Sequence, residues 1–310
     1  MALVGPGKAG GSVARWLLAR GARLTLVARR RAGPLPRWVA ATGARPVPLE
    51  ALASDGDDLL LVAVPDGALQ MVATTLARRP QAAVALHLSG AQPGAALAVL
   101  RRGAGRAATS VGGFHPLRAF PRPLPSPAVA RRTFFALDGD PAAVALGRRL
   151  AAALGAPCAE VATPLRPLYH LAATWAAGGT VTLLGAAVAL HAAVGVDPAA
   201  AAGLRELAAG ALAAVDPRRP AAALTGPVAR GDGGLLAQLT RLRAVAPELH
   251  PLAVLIALEG LRQLAVQGVA EGVVEGRGEG SGDPSREALR RTLREVCADP
   301  GFLDPLLRGV

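Results

Sequence analysis

Short apolar runs alternate with amphipathic stretches through the first half of the chain. An apolar run at 2–4 meets glycines at once, a helical pattern covers 8–20, and a β-rich run (RLTLVA) occupies 23–28. A turn region rich in Pro and Gly leads to DLLLVAV at 58–64. Further strands are predicted at 84–89 (VALHLS), 107–113 (AATSVGG), 133–137 (TFFAL) and 158–161, with a helix over 141–154 between the last two. A strand with no polar side has no face to give to water, so these runs imply a mostly parallel sheet covered by helices on both faces. After Thr163 the pattern becomes long Ala-rich helical stretches, broken near 195–198, 216–220, 226–234 and 246–251, which predicts an all-α second domain. The segment 271–283 is dense in Gly and Glu and reads as a connector, and 284–296 as a surface helix. The expected fold class is α/β, a doubly wound sheet at 1–162 followed by a helical domain at 163–270, with the Gly-rich connector and C-terminal helix at 271–310.

Composition supports a folded protein: of 310 residues, 52% are hydrophobic and 18% charged. Aromatics make up only 3%, so the core must be built mainly from Ala, Leu and Val. The net charge of +12 raises nucleic acid as a partner, but the arginines are scattered among Ala, Gly and Pro with no interleaved aromatics to stack on bases. No nucleic-acid partner is expected. Cys158 and Cys297 lie far apart and match no metal or redox spacing, which excludes a cysteine metal site and suits a reducing, cytoplasmic setting. The start of the chain runs straight into a glycine loop and does not read as a leader. Residues 168–196 contain no Asp, Glu, Lys or Arg and are long enough to span a bilayer. They are dominated by Ala, Gly and Thr and carry His170 and His191, so a helix buried in the helical domain is expected and no membrane.

Gly5-Pro6-Gly7-Lys8-Ala9-Gly10 follows an apolar strand and opens a helix. In the Rossmann-type fingerprint the first glycine makes the tight turn, the second admits a pyrophosphate to the backbone, and the third allows close packing of helix on strand. The free amides and dipole of the helix start then favour the phosphates. A domain of this type selecting NAD carries an acidic residue about 20 residues on, at the end of the second strand. Here that place holds Arg29, Arg30 and Arg31, suited to a 2'-phosphate through charge-assisted hydrogen bonds. NADP is the expected cofactor, with NAD disfavoured; a merely solvated loop is the competing reading.

In a doubly wound sheet ligands lie beyond the carboxyl ends of the strands. That selects Pro65 and Asp66 after one strand, Ser89 and Gly90 after the next, and His115 and Arg118 after a third; Val64, which ends the first of these strands, and Pro65 are candidate cofactor contacts, and Arg118 a candidate substrate contact. His115 is a candidate proton-transfer group, or else orders the backbone through a hydrogen bond. Ser89 is a candidate for the nicotinamide amide or the substrate, or else a turn residue, and His87 reads as structural. Tyr169 is a candidate acid or orienting hydroxyl and His170 a substrate contact, each with a packed core residue as the alternative. Thr225 and Arg230, in Thr225-Gly226-Pro227 and Arg230-Gly231-Asp232, suit an anionic substrate or an Arg–Asp brace. No metal site is expected.

The loop, together with DLLLVAVPD, LHLSGA, SVGGFHPLRAF, LYHLAATWAAGG and ALTGPVARGD, resembles a bacterial family that pairs a Rossmann-like domain with the helical domain of unknown function 2520. The resemblance runs from Met1 to about Gln267. It implies a fold akin to pyrroline-carboxylate reductase and 6-phosphogluconate dehydrogenase, including the C-terminal helical domain of the latter. It also implies a homodimer through the helical domain and an NADP-dependent oxidoreductase acting on C=O or C=N in a small molecule. Two departures stand out. Gly178 occupies a position where the resemblance leads one to expect Asn, and no lysine is placed as the general acid of β-hydroxyacid dehydrogenases. Both leave room for a non-catalytic NADP sensor as the alternative.

Overall fold

The computed structural model describes residues 1–29, 34–102, 108–120, 126–270 and 284–304. Arg30, Arg31 and the connector 271–283 lie outside the described residues. The chain divides into two compact units, Met1–Gly178 and Gly179–Val310.

The first unit is built on eight strands, β1 (Ala2–Val4), β2 (Leu26–Ala28), β3 (Arg45–Pro46), β4 (Leu59–Val62), β5 (Val84–His87), β6 (Ser110–Leu117), β7 (Phe134–Gly139) and β8 (Cys158–Glu160). Their order is β3-β2-β1-β4-β5-β6-β7-β8, and every pairing is parallel except β6 with β7. The chain winds outward from β1 to β3, then returns to β4 on the other side of β1, so β1 and β4 form the switch point where such sheets take ligands.

Alternation along the strands assigns the two faces. Leu3, Val27, Leu59, Leu61 and Leu86 face α1 (Lys8–Leu18) and α4 (Pro141–Leu154) in one core cluster, whereas Ala2, Val4, Leu60, Val62 and Ala85 face α3 (Asp66–Leu76) in another. This period of two, apolar on both sides, is what a sheet covered twice requires. The signals bounding α4 are legible locally: Pro141 opens the helix and Gly155, at φ +65°, ends it in the left-handed conformation. A short α2 (Arg37–Ala40) lies between β2 and β3, and a 3-10 stretch at Gly94–Arg102 joins β5 to β6. The unit closes with α5 (Arg166–Thr174) and a π-helical turn at Trp175–Gly179 that runs up to the boundary.

The second unit contains α6 (Thr180–Ala193), α7 (Ala200–Ala213), α8 (Gly226–Arg230), α9 (Gly234–Val245), α10 (His250–Ala270) and α11 (Pro284–Cys297). Leu239, Val254, Ala257 and Leu261 of α9 and α10 form a core with Leu289 and Leu293 of α11. By contrast α6 and α7 bury no residue; Val181 and Leu207 are each 71% exposed. Two helical stretches among the described residues, Thr163–Ala193 and Pro247–Gln267, are long and apolar enough to cross a membrane; a third of the second's apolar window is buried within the protein and none of the first's, so the helix at 168–196 is not the buried one its apolar composition led one to expect.

Candidate functional site

The glycine loop leaves β1 and enters α1. Gly5 has φ +88°, and a Cβ there would overlap the Ala63 carbonyl. A Cβ at Gly10 would overlap the Gly5 carbonyl and lie 2.6 Å from the Ala63 Cβ. The loop is therefore pressed onto the end of β4 at its two outer glycines, with Gly5 N–H donating to Ala28 O at 2.9 Å and Ala63 N–H to Val4 O at 2.8 Å. At Gly7, between them, a Cβ would meet nothing within 4 Å, and Gly7 and Lys8 are exposed. No side chain caps the α1 amino terminus. The arrangement fits a dinucleotide pyrophosphate: close packing beneath, bare backbone above, and unpaired amides at a helix start. Pro6 is buried and Ala9 half-buried, which holds the loop, while Val64 is half-buried and Pro65 exposed just past β4. Arg29 follows β2, is exposed, and donates from Nη1 to Pro34 O.

Past β5 the chain is fastened by a residue that motif reasoning did not select. Arg166, the first residue of α5, is fully buried. It donates from Nε to Gln92 O at 2.9 Å, from Nη2 to Ser89 O at 2.7 Å and from Nη1 to Asp138 Oδ1 at 2.9 Å. The other carboxylate oxygen of Asp138 accepts from Gly94 N–H at 2.8 Å. One guanidinium thus ties the 89–94 loop, β7 and α5 together. Burial pushes its pKa down and the Asp138 charge pushes it back up. Ser89 is itself a loop fastener, its hydroxyl accepting from Gln92 N–H at 2.9 Å. His87 lies buried beneath, bridging Ser89 N–H and Pro93 O through its two ring nitrogens. Burial holds its pKa below the ordinary histidine value.

Three and four residues after Arg166, one helical turn on, α5 presents Tyr169 and His170. Tyr169 Oη lies 2.9 Å from His115 Nδ1, and the His170 ring meets the His115 ring edge to face at 5.6 Å. His115 was expected just after a strand. It lies within one, because β6 continues past its last pair with β5, Gly113 with His87, and goes on pairing with β7 to Leu117. The overhang lifts His115 beyond the carboxyl edge of β5, beside Gly90. A Cβ at Gly90 would overlap His170 Nδ1 and lie 2.8 Å from His115 Nε2. His170 Nδ1 is buried and has no hydrogen-bond partner. Burial, aided by His170, Arg166 and His87, lowers the His115 pKa to about 3, and burial raises that of Tyr169 to about 12. At neutral pH the imidazole is uncharged and the phenol keeps its proton.

These groups open onto a cavity of about 610 Å³ whose wall includes His115, Arg118, Tyr169 and His170, with Ala172, Ala173, Ala176, Ala177 and Gly178 along α5 and the π turn. Arg118 donates from Nε to Thr133 Oγ1 at 2.6 Å. Gly178 stands on this wall with nothing closer than 3.9 Å to a Cβ placed there. Of the sequence candidates, the structure brings His115, Tyr169, His170 and Arg118 to one cavity, and puts Ser89 in the loop behind it. Thr225 and Arg230 belong to the second unit, where both are exposed and Arg230 Nη2 lies 3.9 Å from Asp232 Oδ2. No group of three metal-ligating side chains occurs among the described residues.

A doubly wound, mostly parallel sheet with a glycine loop at its switch point, followed by a helical unit, defines a Rossmann-type fold. Residues 133–258 match the family model described as domain of unknown function DUF2520, the helical domain that the chain's motifs resemble. The match begins at β7, inside the sheet. Among solved structures, BF3122 from Bacteroides fragilis, provisionally described as an NADP oxidoreductase, is 19% identical with a TM-score of 0.65, over 83% of this chain and 95% of that one. Protein TM1727 from Thermotoga maritima is 18% identical with a TM-score of 0.60, over 94% of this chain and 99% of that one. An imine reductase from Myxococcus stipitatus, solved in complex with NADP+, is 15% identical with a TM-score of 0.52, over 99% of both chains. No curated protein matches in sequence. At these identities the likeness is one of fold.

Proposed function

We propose that this protein is an NADP-dependent oxidoreductase that moves hydride to or from a C=O or C=N group of a small molecule. The observation that carries the reading is the glycine loop, with Gly5 and Gly10 pressed against β4 and Gly7 left open at the start of α1. The solved relative with NADP+ bound supports it by fold. NADP is preferred over NAD because Arg29, and no carboxylate, follows β2.

When bound, the dinucleotide supplies the hydride. The chain must then orient the substrate, deliver a proton and exclude water. Tyr169 is the proposed proton donor. As the substrate carbon gains the hydride pair, its π electrons move to the oxygen or nitrogen, which takes the proton from Tyr169 Oη. In the tautomer protonated at Nδ1, His115 donates to Tyr169 and leaves the phenol proton free for the substrate. His115 is then an orienting partner, since an imidazole with a pKa near 3 carries no spare proton at neutral pH. Ser89 contributes through the loop it fastens.

The test is a fluorescence titration of the full chain with NADPH and NADH. NADPH binding should be tighter, and Arg29→Ala should weaken it about tenfold while leaving NADH unchanged, the scale of one charge-assisted hydrogen bond. Absence of binding by either nucleotide would sink the reading. The rival, a non-catalytic NADP sensor, draws on Gly178, which gives the cavity wall no polar group; NADPH binding without oxidation across carbonyls and imines would favour it.

A homodimer through the helical domain is part of the proposal, supported by the uncovered apolar side chains of α6 and α7, as is a cytoplasmic setting. Sedimentation velocity reading a monomer at micromolar protein would remove the first.

A further inference from the structure

The cavity wall contains a cation that no carboxylate neutralises among the described residues. Arg118 is half-buried just past β6, and its two protein acceptors are neutral oxygens, Thr133 Oγ1 at 2.6 Å and Arg132 O at 3.5 Å. No carboxylate pairs with it among the described residues, and the cavity wall includes no Asp or Glu. Arg166, the buried arginine at this end of the sheet, is neutralised by Asp138. The Arg118 head is also fixed in place. Thr133 is fully buried and its hydroxyl donates to Val129 O at 3.1 Å, so its lone pair is held toward Nε. A preoriented, partly desolvated guanidinium facing neutral partners favours an anion that presents two oxygens in a plane.

The remainder of the wall narrows the choice. Ala172, Ala173, Ala176, Ala177 and Leu117 offer apolar surface, and about 610 Å³ lies in the range of cavities that enclose drug-sized ligands. A phosphate ester, with up to two charges and three strong acceptor oxygens, calls for more donors than one guanidinium beside alanines.

We propose that the substrate is a carboxylic acid with a bulky apolar body: its carboxylate pairs with Arg118, its body lies along the alanines, and its reducible carbon sits at the Tyr169 end. The position of the reducible group rests on the oxidoreductase reading; the carboxylate site does not.

The experiment separates the two by measuring binding instead of turnover. The full chain is titrated by calorimetry with 4-phenylbutanoate, with the neutral 4-phenylbutanamide and with 3-phenylpropyl phosphate, with and without NADPH. The acid should bind about tenfold or more tightly than the amide, the scale expected of one charge-assisted pair. Arg118→Met should erase that difference without moving amide affinity or the NADPH titration, and Arg118→Lys should retain part of it. The proposal is overturned if acid and amide bind alike, if neither binds, if the phosphate binds tighter than the acid, or if Arg118→Met leaves acid binding intact. Failure of the NADPH titration alone strikes the oxidoreductase reading and leaves the carboxylate site standing.

Discussion

The glycine loop and the histidine–tyrosine cavity stand at the same edge of the sheet but are made of opposite materials. The loop is backbone, and it works by what is missing: at Gly5 and Gly10 a single added carbon would collide with main chain, and at Gly7 the same carbon would meet nothing. The cavity is side chain, and it works by what is brought together. His115 and Tyr169 are 54 positions apart, and Arg166 reaches Ser89 across 77. A locally determined feature fails at the atom that is changed. A long-range one fails when its fastening goes, even if every residue at the site is intact. Substitutions should therefore divide the edge into two independently breakable halves.

Arg166→Met should have the largest effect. It leaves the Asp138 carboxylate buried beside unpaired carbonyls, and breaking a buried pair from one side costs about 3–5 kcal/mol. Urea unfolding of the first unit should reveal that loss. In the surviving folded fraction NADPH should bind normally while 4-phenylbutanoate does not, because the 89–94 loop and α5 are no longer held together. Loss of both ligands in folded protein would mean that the halves are not separable. Gly10→Ala should reverse the pattern with a smaller cost, on the order of 2–3 kcal/mol for overpacking against main chain. NADPH binding should fall while acid binding persists; unchanged NADPH affinity would contradict the role given to the loop.

The same contrast governs how much could be read from sequence. The loop was legible because its strand, glycines and helix are contiguous and each glycine has a local reason to be there. The parallel core was legible because strands apolar on both faces have few other destinations. The reversal at β7 was not, since nothing in FHPL announces that β6 will outrun β5 and pair on its other side, and so His115 was expected on a loop. Arg166 was not legible either: it is one arginine among many, set before a proline at a helix start. A trace existed in its partner. Asp138 closes the otherwise apolar run TFFAL, and a carboxylate at the end of a buried strand calls for a cation or several amides. Arg118 and Tyr169 could be nominated by type, but their meeting at one cavity depends on that hidden ion pair.

The smallest effect sharpens the comparison further, because it belongs to the side-chain half alone. His115 titrates near 3 in the folded protein, below the ordinary value of 6.5, chiefly through burial. Between those values the unfolded chain binds a proton that the folded chain refuses, so stability rises with pH across the window and is lost as pH falls through it, with a slope of at most about 1.4 kcal/mol per pH unit. Above about 7 the residue should contribute no pH dependence. From pH 7 to 5 it should remove about 1–2 kcal/mol from the first unit. His115→Gln keeps a polar group beside Tyr169 but cannot take the proton, so its urea midpoint should fall less on acidification than that of the unaltered protein. His87, also held below the ordinary value by burial, should leave a residual dependence in that variant. The glycine loop has no titrating group in contact with Gly5 or Gly10, so Gly10→Ala should shift stability by the same amount at pH 5 and pH 7. If His115→Gln and the unaltered protein lost stability in parallel, the imidazole would not be buried in its neutral form, and the account of Tyr169 as donor with His115 as its orienting partner would have to be abandoned.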